Sequence, residues 1–479
     1  MISIGIAGVT LLFLAWLIRK RIVAAIAASL LLFSLSSRLV DILYLDLAGP
    51  IYATQLDRHV GANSATPFFC FAVLALVLPL AVAFGDRAFL RGISHKAYAA
   101  SGYINGMRWL MIAGASGLIA LLYLEMLRIG TIPLLSGMDR VDYNIIASPL
   151  HRLSYEMNFL ISATLGIAAV IPRLQGRSVS VSANLLVLLL LVYWALTGNR
   201  FSAFLMVASF YAFPFGALIL AKRAGLLTRQ TVSDPWSALI SPKVLMAIGG
   251  LIGAIAVVGL IVNSYYNVRG YADPVFELSQ RLLVQPVEIY ASHYQNFVFG
   301  GMREPDWQAI DEVLINPIDS NVNTSIKYLM INEVGFFRTE ELLANGTQFA
   351  GGYPEIYLSL FGMFWAIPLM VLIGICTAWI TRLAMRNIFR GYLLSSIMAI
   401  YVMFAFHLGY IGGMLNSLLA YTFYLKILIL FGVFHLEQAI LRRERENLVG
   451  RMQAVNARSA SSTGFDLPRT QDGLAATAG

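Results

Sequence analysis

The chain has 479 residues, of which 58% are hydrophobic and only 13% charged, and its formal net charge is +8. Soluble domains carry about a quarter charged residues, so the composition excludes a soluble globule. The many apolar runs near the ~20 residues that cross a bilayer as a helix exclude an outer-membrane barrel, whose strands alternate apolar and polar side chains.

Eleven membrane spans are predicted, over residues 2–18, 22–39, 67–84, 109–127, 159–171, 183–196, 201–220, 244–262, 356–380, 392–411 and 418–435. The start, MISIGIAGVT, lacks the basic residues that open a cleaved signal peptide, and is expected to be a retained first span. Alternation then puts the N-terminus outside and the C-terminus inside. Lysine and arginine follow the same sides. Of 34 such residues, 22 fall in inner connectors and the tail, 11 fall on the outer side, and Lys426 lies within the last span. Every inner connector is basic, as the positive-inside rule requires. The positive charge is therefore explained by membrane orientation, and no nucleic-acid partner is expected. Cys70 and Cys376 both sit inside apolar runs and read as small packing residues.

Four units are expected: an N-terminal bundle of about eight spans over 1–262, a large outer loop over 263–355, three further spans over 356–437, and a cytoplasmic tail over 438–479. The loop holds twelve carboxylates against four arginines and one lysine. Its local patterns are helical. In DPVFELSQRLL, Asp273 is a possible N-cap with Pro274 at the first helical position. In TEELLANG, Thr339 is a possible cap and Asn345-Gly346 a stop. A loop of this length with helices of its own reads as functional rather than as a linker. The tail starts with LRRERENLVGRM, a possible helix along an anionic leaflet. Its last stretch is too poor in apolar surface to pack.

Four patches on the outer side carry polar groups at or near membrane depth. They are SSRLVDILYLDL with Arg38 and Asp41, EMLRIGTIPLLSGMDRVDYN with Glu125, Arg128, Asp139, Arg140, Asp142 and Tyr143, the turn Asn199-Arg200, and NSYYNVRGYAD with Arg269. Each has an ordinary reading. The three-residue spacings of Arg38 with Asp41 and of Glu125 with Arg128 suit intrahelical ion pairs, and Arg200 can snorkel to the headgroups. As a set they read differently. An arginine at a helix centre costs roughly 2.5–3.5 kcal/mol, and guanidinium grips phosphate through two parallel hydrogen bonds. Arg140, Arg200 and Arg269, on the side where basic residues are least favoured, are therefore candidates for holding the anionic headgroup of a lipid.

His293 is the one histidine of the long loop, and imidazole suits base chemistry near neutral pH. His407 reads as a polar packing residue within its span. There is no metal-ligand spacing, Walker loop or nucleophile elbow, so no metal and no cofactor is expected.

The apolar spans, GTIPLLSGMDRVDY after the fourth of them, the LTGNRFSAFL turn and the large loop ending FAGGYPEIYLSLFG together resemble the Wzy-type polymerases of O-antigen and capsular polysaccharide. The resemblance implies an all-α polytopic, GT-C-like glycosyltransferase bundle in the bacterial inner membrane. Such an enzyme transfers a glycan from undecaprenyl pyrophosphate to a lipid-linked repeat unit on the periplasmic side, alongside a flippase and a chain-length regulator of the same pathway. It implies Arg140, Arg200 and Arg269 on the pyrophosphate; the base would be His293, the analogue of a loop histidine in the ligases, or one of Asp139, Asp142 and Glu355. Competing readings are an O-antigen ligase, with the same donor chemistry, and a lipid-linked oligosaccharide flippase. The latter needs polar groups along a path through the membrane, where here they are scarce.

Overall fold

A computed structural model of the chain describes residues 2–85, 101–136, 138, 140–176, 180–199, 201–223, 276, 279–298, 304–315, 325–344 and 349–462. Among these residues the regular structure is helical but for one two-stranded hairpin. The first half runs α1 (Ile2–Lys20), α2 (Ile22–Ala27), α3 (Ser29–Ala48), the hairpin strands β1 (Ile51–Ala53) and β2 (Arg58–Val60), α4 (Thr66–Ala83), α5 (Gly102–Ile129), α6 (Pro133–Ser136), α7 (Arg140–Ile146), α8 (Pro149–Glu156), α9 (Asn158–Leu174), α10 (Val181–Leu196), α11 (Phe201–Ala212) and α12 (Phe215–Arg223). After the gap come a π-helical turn (Gln280–Val284), α13 (Glu288–Val298), α14 (Trp307–Ile310), a second π-helical turn (Asp311–Ile315), α15 (Ser325–Val334), α16 (Phe336–Ala344), α17 (Glu355–Arg390), α18 (Leu393–Ile411), α19 (Asn416–Leu419) and α20 (Tyr421–Ser462).

Among the described residues seven helices are long and apolar enough to cross a membrane, and the bent pair α8–α9, angled at 66°, makes an eighth if it is one span. The molecule is thus a polytopic helical membrane protein. The predicted eighth span, 244–262, lies outside the described residues, as does Asp273. Two predicted spans coincide with helices that do not qualify. α10 has only 16 residues, and the second span is divided at Ala28 into α2 and α3, the latter carrying Arg38, Asp41 and Asp46.

The bundle has a centre and a periphery. The stretch Leu393–Ile411 is 56% buried, whereas Tyr421–Glu444 is 17% buried. The periphery shows an apolar surface, including Leu121 and Leu124 of α5 and Leu425, Leu428 and Phe431 of α20, suited to lipid. At the centre, the Phe159 ring of α9 stacks on Phe404 of α18 with centroids 3.7 Å apart. α17 lies close against α4 because Gly374 has no side chain. A Cβ there would sit 2.4 Å from the Ala75 carbonyl oxygen. Close backbone approach at small residues is how helices associate in lipid, where no hydrophobic drive separates protein from solvent.

The two ends of the bundle differ. One, the loop end, carries the hairpin, α6–α8 and the segment from the first π-turn to Tyr353. The other, the tail end, carries the extension of α20. There, Glu437 of α20 is fully buried and accepts the backbone N–H groups of Leu394 and Ser395, each at 2.8 Å, at the start of α18. One helix repeat later, Glu444 accepts from the Ser101 hydroxyl at 2.6 Å and the Tyr103 N–H at 3.2 Å at the start of α5. Both carboxylates meet the unsatisfied N–H groups and the positive dipole end of a helix.

In the loop segment, helix α16 starts at Phe336 rather than at Thr339. Thr339 lies inside it, and its hydroxyl donates to the Gly335 carbonyl at 2.8 Å. Gly335, with φ of 81°, makes the turn between α15 and α16, so the helix starts as soon as that turn is complete.

Candidate functional site

The loop end is built around Arg38. Its position near the middle of α3 points it into protein rather than solvent, and all three guanidinium nitrogens are engaged. Nε donates to the Pro286 carbonyl at 2.9 Å, Nη2 to Glu355 Oε1 at 2.7 Å, and Nη1 to the Tyr353 carbonyl. The Phe69 ring lies 5.5 Å from its carbon. The expected ion pair within α3 is therefore replaced by one to α17, 317 residues away. Asp41, also buried, lies close enough to feel the cation. A buried guanidinium needs several acceptors at once, and one aspartate a turn along the same helix supplies too few. Likewise Glu125 turns away from the exposed Arg128 and accepts the Ser148 N–H at the start of α8.

The FAGGYPE stretch forms the other half of this joint. Glu355 Oε1 also accepts the Gly352 N–H. Gly352, at φ 140°, lies against Gly413 after α18, where any Cβ would fall 2.2 Å from the Gly413 nitrogen. Only glycine lets these backbones meet at such a φ.

Helix α13 crosses this joint and carries two functional faces. On one, the Tyr290 hydroxyl donates to the Ala65 carbonyl at 2.9 Å, and burial together with Tyr294, Glu355 and Asp46 holds its phenol well above the usual range. Asp46 in turn accepts Thr66 N–H and hydroxyl at 2.9 and 2.6 Å, capping α4. Tyr290 and Tyr294 are buried, so these two pack the cap.

On the other face, His293 and Ser292 meet Glu333 of α15 and Arg58 of β2. His293 Nδ1 pairs with Glu333 Oε1. Glu333 Oε2 accepts from the Ser292 hydroxyl at 3.0 Å and pairs with the Arg58 guanidinium, which also reaches Ser292. Arg58 is 42% exposed, whereas the Glu333 side chain is 3% exposed, so the group opens to solvent through the arginine. Gln280 holds the hairpin in place by donating to the Tyr52 carbonyl at 2.9 Å. Beside the group lies Glu288, fully buried, with neither carboxylate oxygen hydrogen-bonded. Burial pushes its carboxyl up to about 8, with Arg58 opposing. The contact of His293 with Glu333 is one of ion-pair type rather than a hydrogen bond, and it biases which ring nitrogen carries the proton.

A second polar cluster lies beneath α7 and α8. His151 bonds the Tyr193 hydroxyl at 2.7 Å and Asn144 Oδ1 at 2.9 Å, and Trp194 Nε1 donates to Asn158 at 2.9 Å. The Asn199 N–H bonds the Trp194 carbonyl at 3.0 Å. The network thus ties the MDRVDY helix to the LTGN turn.

Of the residues singled out from sequence, His293 and Glu355 are brought to one cap, joined through α13. Asp142 is exposed in the first turn of α7. Arg140 opens that helix, and the next turn-bearing segment, ending at Asn199, leads to Arg200. Arg200, Arg269 and Asp139 lie outside the described residues. Among the described residues no group of three or more His, Cys, Asp or Glu side chains is placed to hold a metal. His407 is buried and bonds the Met403 carbonyl at 3.0 Å. Sequence reading passed over Arg38 as half of a local pair, and passed over Arg58 and Glu333 altogether. Their only signal was charge on the less basic side.

Residues 319–429 match the model of a family of unknown function, DUF6418. The matched stretch includes Glu333, the GGYPE joint, α17, α18 and Gly413. No curated protein and no solved structure matches the chain.

Proposed function

We propose that this protein is a membrane glycosyltransferase of the O-antigen polymerase type. It transfers a glycan from undecaprenyl pyrophosphate to a lipid-linked repeat unit on the periplasmic face of the bacterial inner membrane. The bundle is GT-C-like with eleven spans, and the loop end is periplasmic. The observation that carries this reading is the contact of His293 with Glu333 at the loop end, where helix α7, which Arg140 opens, also lies.

In this mechanism the acceptor sugar hydroxyl attacks the anomeric carbon while its proton passes to His293 Nε2. The bond from that carbon to the pyrophosphate oxygen breaks, and its electron pair leaves with the diphosphate. Arg140, Arg200 and Arg269 neutralise the developing charge, the electrostatic term that is often the largest in such reactions. Glu355 is engaged by Arg38 and Gly352, which favours His293 over it as the base. The remaining sequence candidates, Asp139 and Asp142, lie near Arg140.

The test is deletion of the gene, complementation with wild type or His293→Gln, and a glycan ladder gel. A polymerase gives loss of long chains with the single-repeat product retained, and His293→Gln at normal expression lowers chain extension by about a hundredfold or more. Wild-type ladders from His293→Gln sink the assignment of the base. Complete loss of capped lipid identifies a ligase instead, and lipid-linked repeats trapped on the cytoplasmic face identify a flippase.

A further inference from the structure

Glu333 and the three side chains around it come from three separate segments. His293 and Ser292 lie on α13, Glu333 on α15 and Arg58 on the hairpin. The carboxylate is divided between them. One oxygen meets the imidazole, and the other meets the guanidinium and the hydroxyl. A carboxylate that faced only the histidine would hold it protonated. Its charge favours imidazolium, and the effect is large where water is scarce. Such a histidine would be a poor base at neutral pH. Arg58, drawing on the second oxygen, counters that field.

We propose that Arg58 is a positioning residue for His293. By taking one oxygen of Glu333 it fixes the rotamer that presents the other to the imidazole, and it offsets enough of the carboxylate charge to keep the ring unprotonated and basic. The role of His293 as base rests on the reading above, whereas the electrostatic coupling does not.

The other charged and titratable groups near α13 do not substitute for Arg58. Glu288, on the same helix, is buried beside Arg58, and burial raises its carboxyl to about 8 against the pull of that cation, whereas Glu333 is in direct contact with the guanidinium. Tyr290 and Tyr294 face Asp46 of α3 on the opposite side, with Glu355 and Arg38 behind Tyr290. Arg38 is committed to Glu355 and to two backbone carbonyls. Lys327, two turns before Glu333 on α15, pairs with Glu340.

The experiment is an NMR titration of histidine-labelled full-length protein in lipid nanodiscs, with the His293 signal assigned by its loss in His293→Gln. Arg58→Gln should raise the His293 titration midpoint, by about one pH unit for a charge this close, and Glu333→Gln should lower it. In the Glu333→Gln background, Arg58→Gln should have much less effect, because its main route is gone. Arg58→Ala carries the same expectation if Arg58→Gln does not fold. An unchanged or lowered midpoint in a folded Arg58 variant overturns the proposal, as does an equal Arg58 effect with and without Glu333. The ladder gel on the same variants reads separately. Normal chains from His293→Gln alongside the expected midpoint shifts would remove the polymerase assignment and leave the coupling standing. Loss of chains with no shift would do the reverse.

Discussion

The two ends of the bundle both bury carboxylates, and they satisfy them differently. At the tail end, Glu437 and Glu444 meet neutral backbone N–H groups and hydroxyls at helix starts. The loop end uses helix starts as well, at Asp46 and Glu125, but there Glu355 and Glu333 also meet the side chains of Arg38, Arg58 and His293. A helix start is a fixed partner that cannot change its protonation, so the tail-end joints hold shape and nothing more. Charged side chains gathered from distant segments make a joint whose energy depends on protonation and on the field of any anion that approaches. The loop end therefore has the means for chemistry, at the cost of depending on every partner being present.

The difference can be broken most forcefully at Arg38. Arg38→Ala strands Glu355 and Asp41 without their cation, and should cost about 3–5 kcal/mol, read as a fall in the thermal midpoint of the purified protein. A shift no larger than that of a surface substitution would mean that the loop-end pair is dispensable. Acidity probes the same end. The Glu288 carboxyl is raised to about 8 from an ordinary 4.5, so its contribution is fully favourable below pH 4.5. Its contribution is lost as pH rises through 8, a change of about 5 kcal/mol over that window. Glu288→Gln should flatten this dependence in melts recorded from pH 5 to 9. A wild-type melt that is flat over that range would place an ionised partner at Glu288. At the tail end, Glu437→Gln sets an amide NH2 against groups that are all donors. It should lower stability by about 2 kcal/mol, with no new pH dependence near neutrality. A pH-dependent loss there would erase the contrast between the ends.

Much of the bundle was legible in the chain because lipid imposes simple demands. Apolar runs near 20 residues, broken by basic turns, announce helices whatever they pack against. Of the eleven predicted spans, ten fall on described helices, and seven or eight of these are long and apolar enough to cross. His293 stands out in the sequence too, as the one imidazole of an acidic loop. The pairings do not. Arg38 with Asp41, and Glu125 with Arg128, follow helix spacing, yet Arg38 reaches Glu355 and Glu125 reaches the start of α8. Helix periodicity gives the direction of a side chain relative to its own axis. It carries no information on which other helix stands in that direction, and a buried charge takes the partner that best satisfies its hydrogen bonds. The sequence by itself determined that this is a helical membrane protein with a large acidic loop. Only tertiary structure decided that Arg58, Glu333 and His293 meet, because that meeting depends on how a hairpin and two loop helices settle over the ends of α3 and α4.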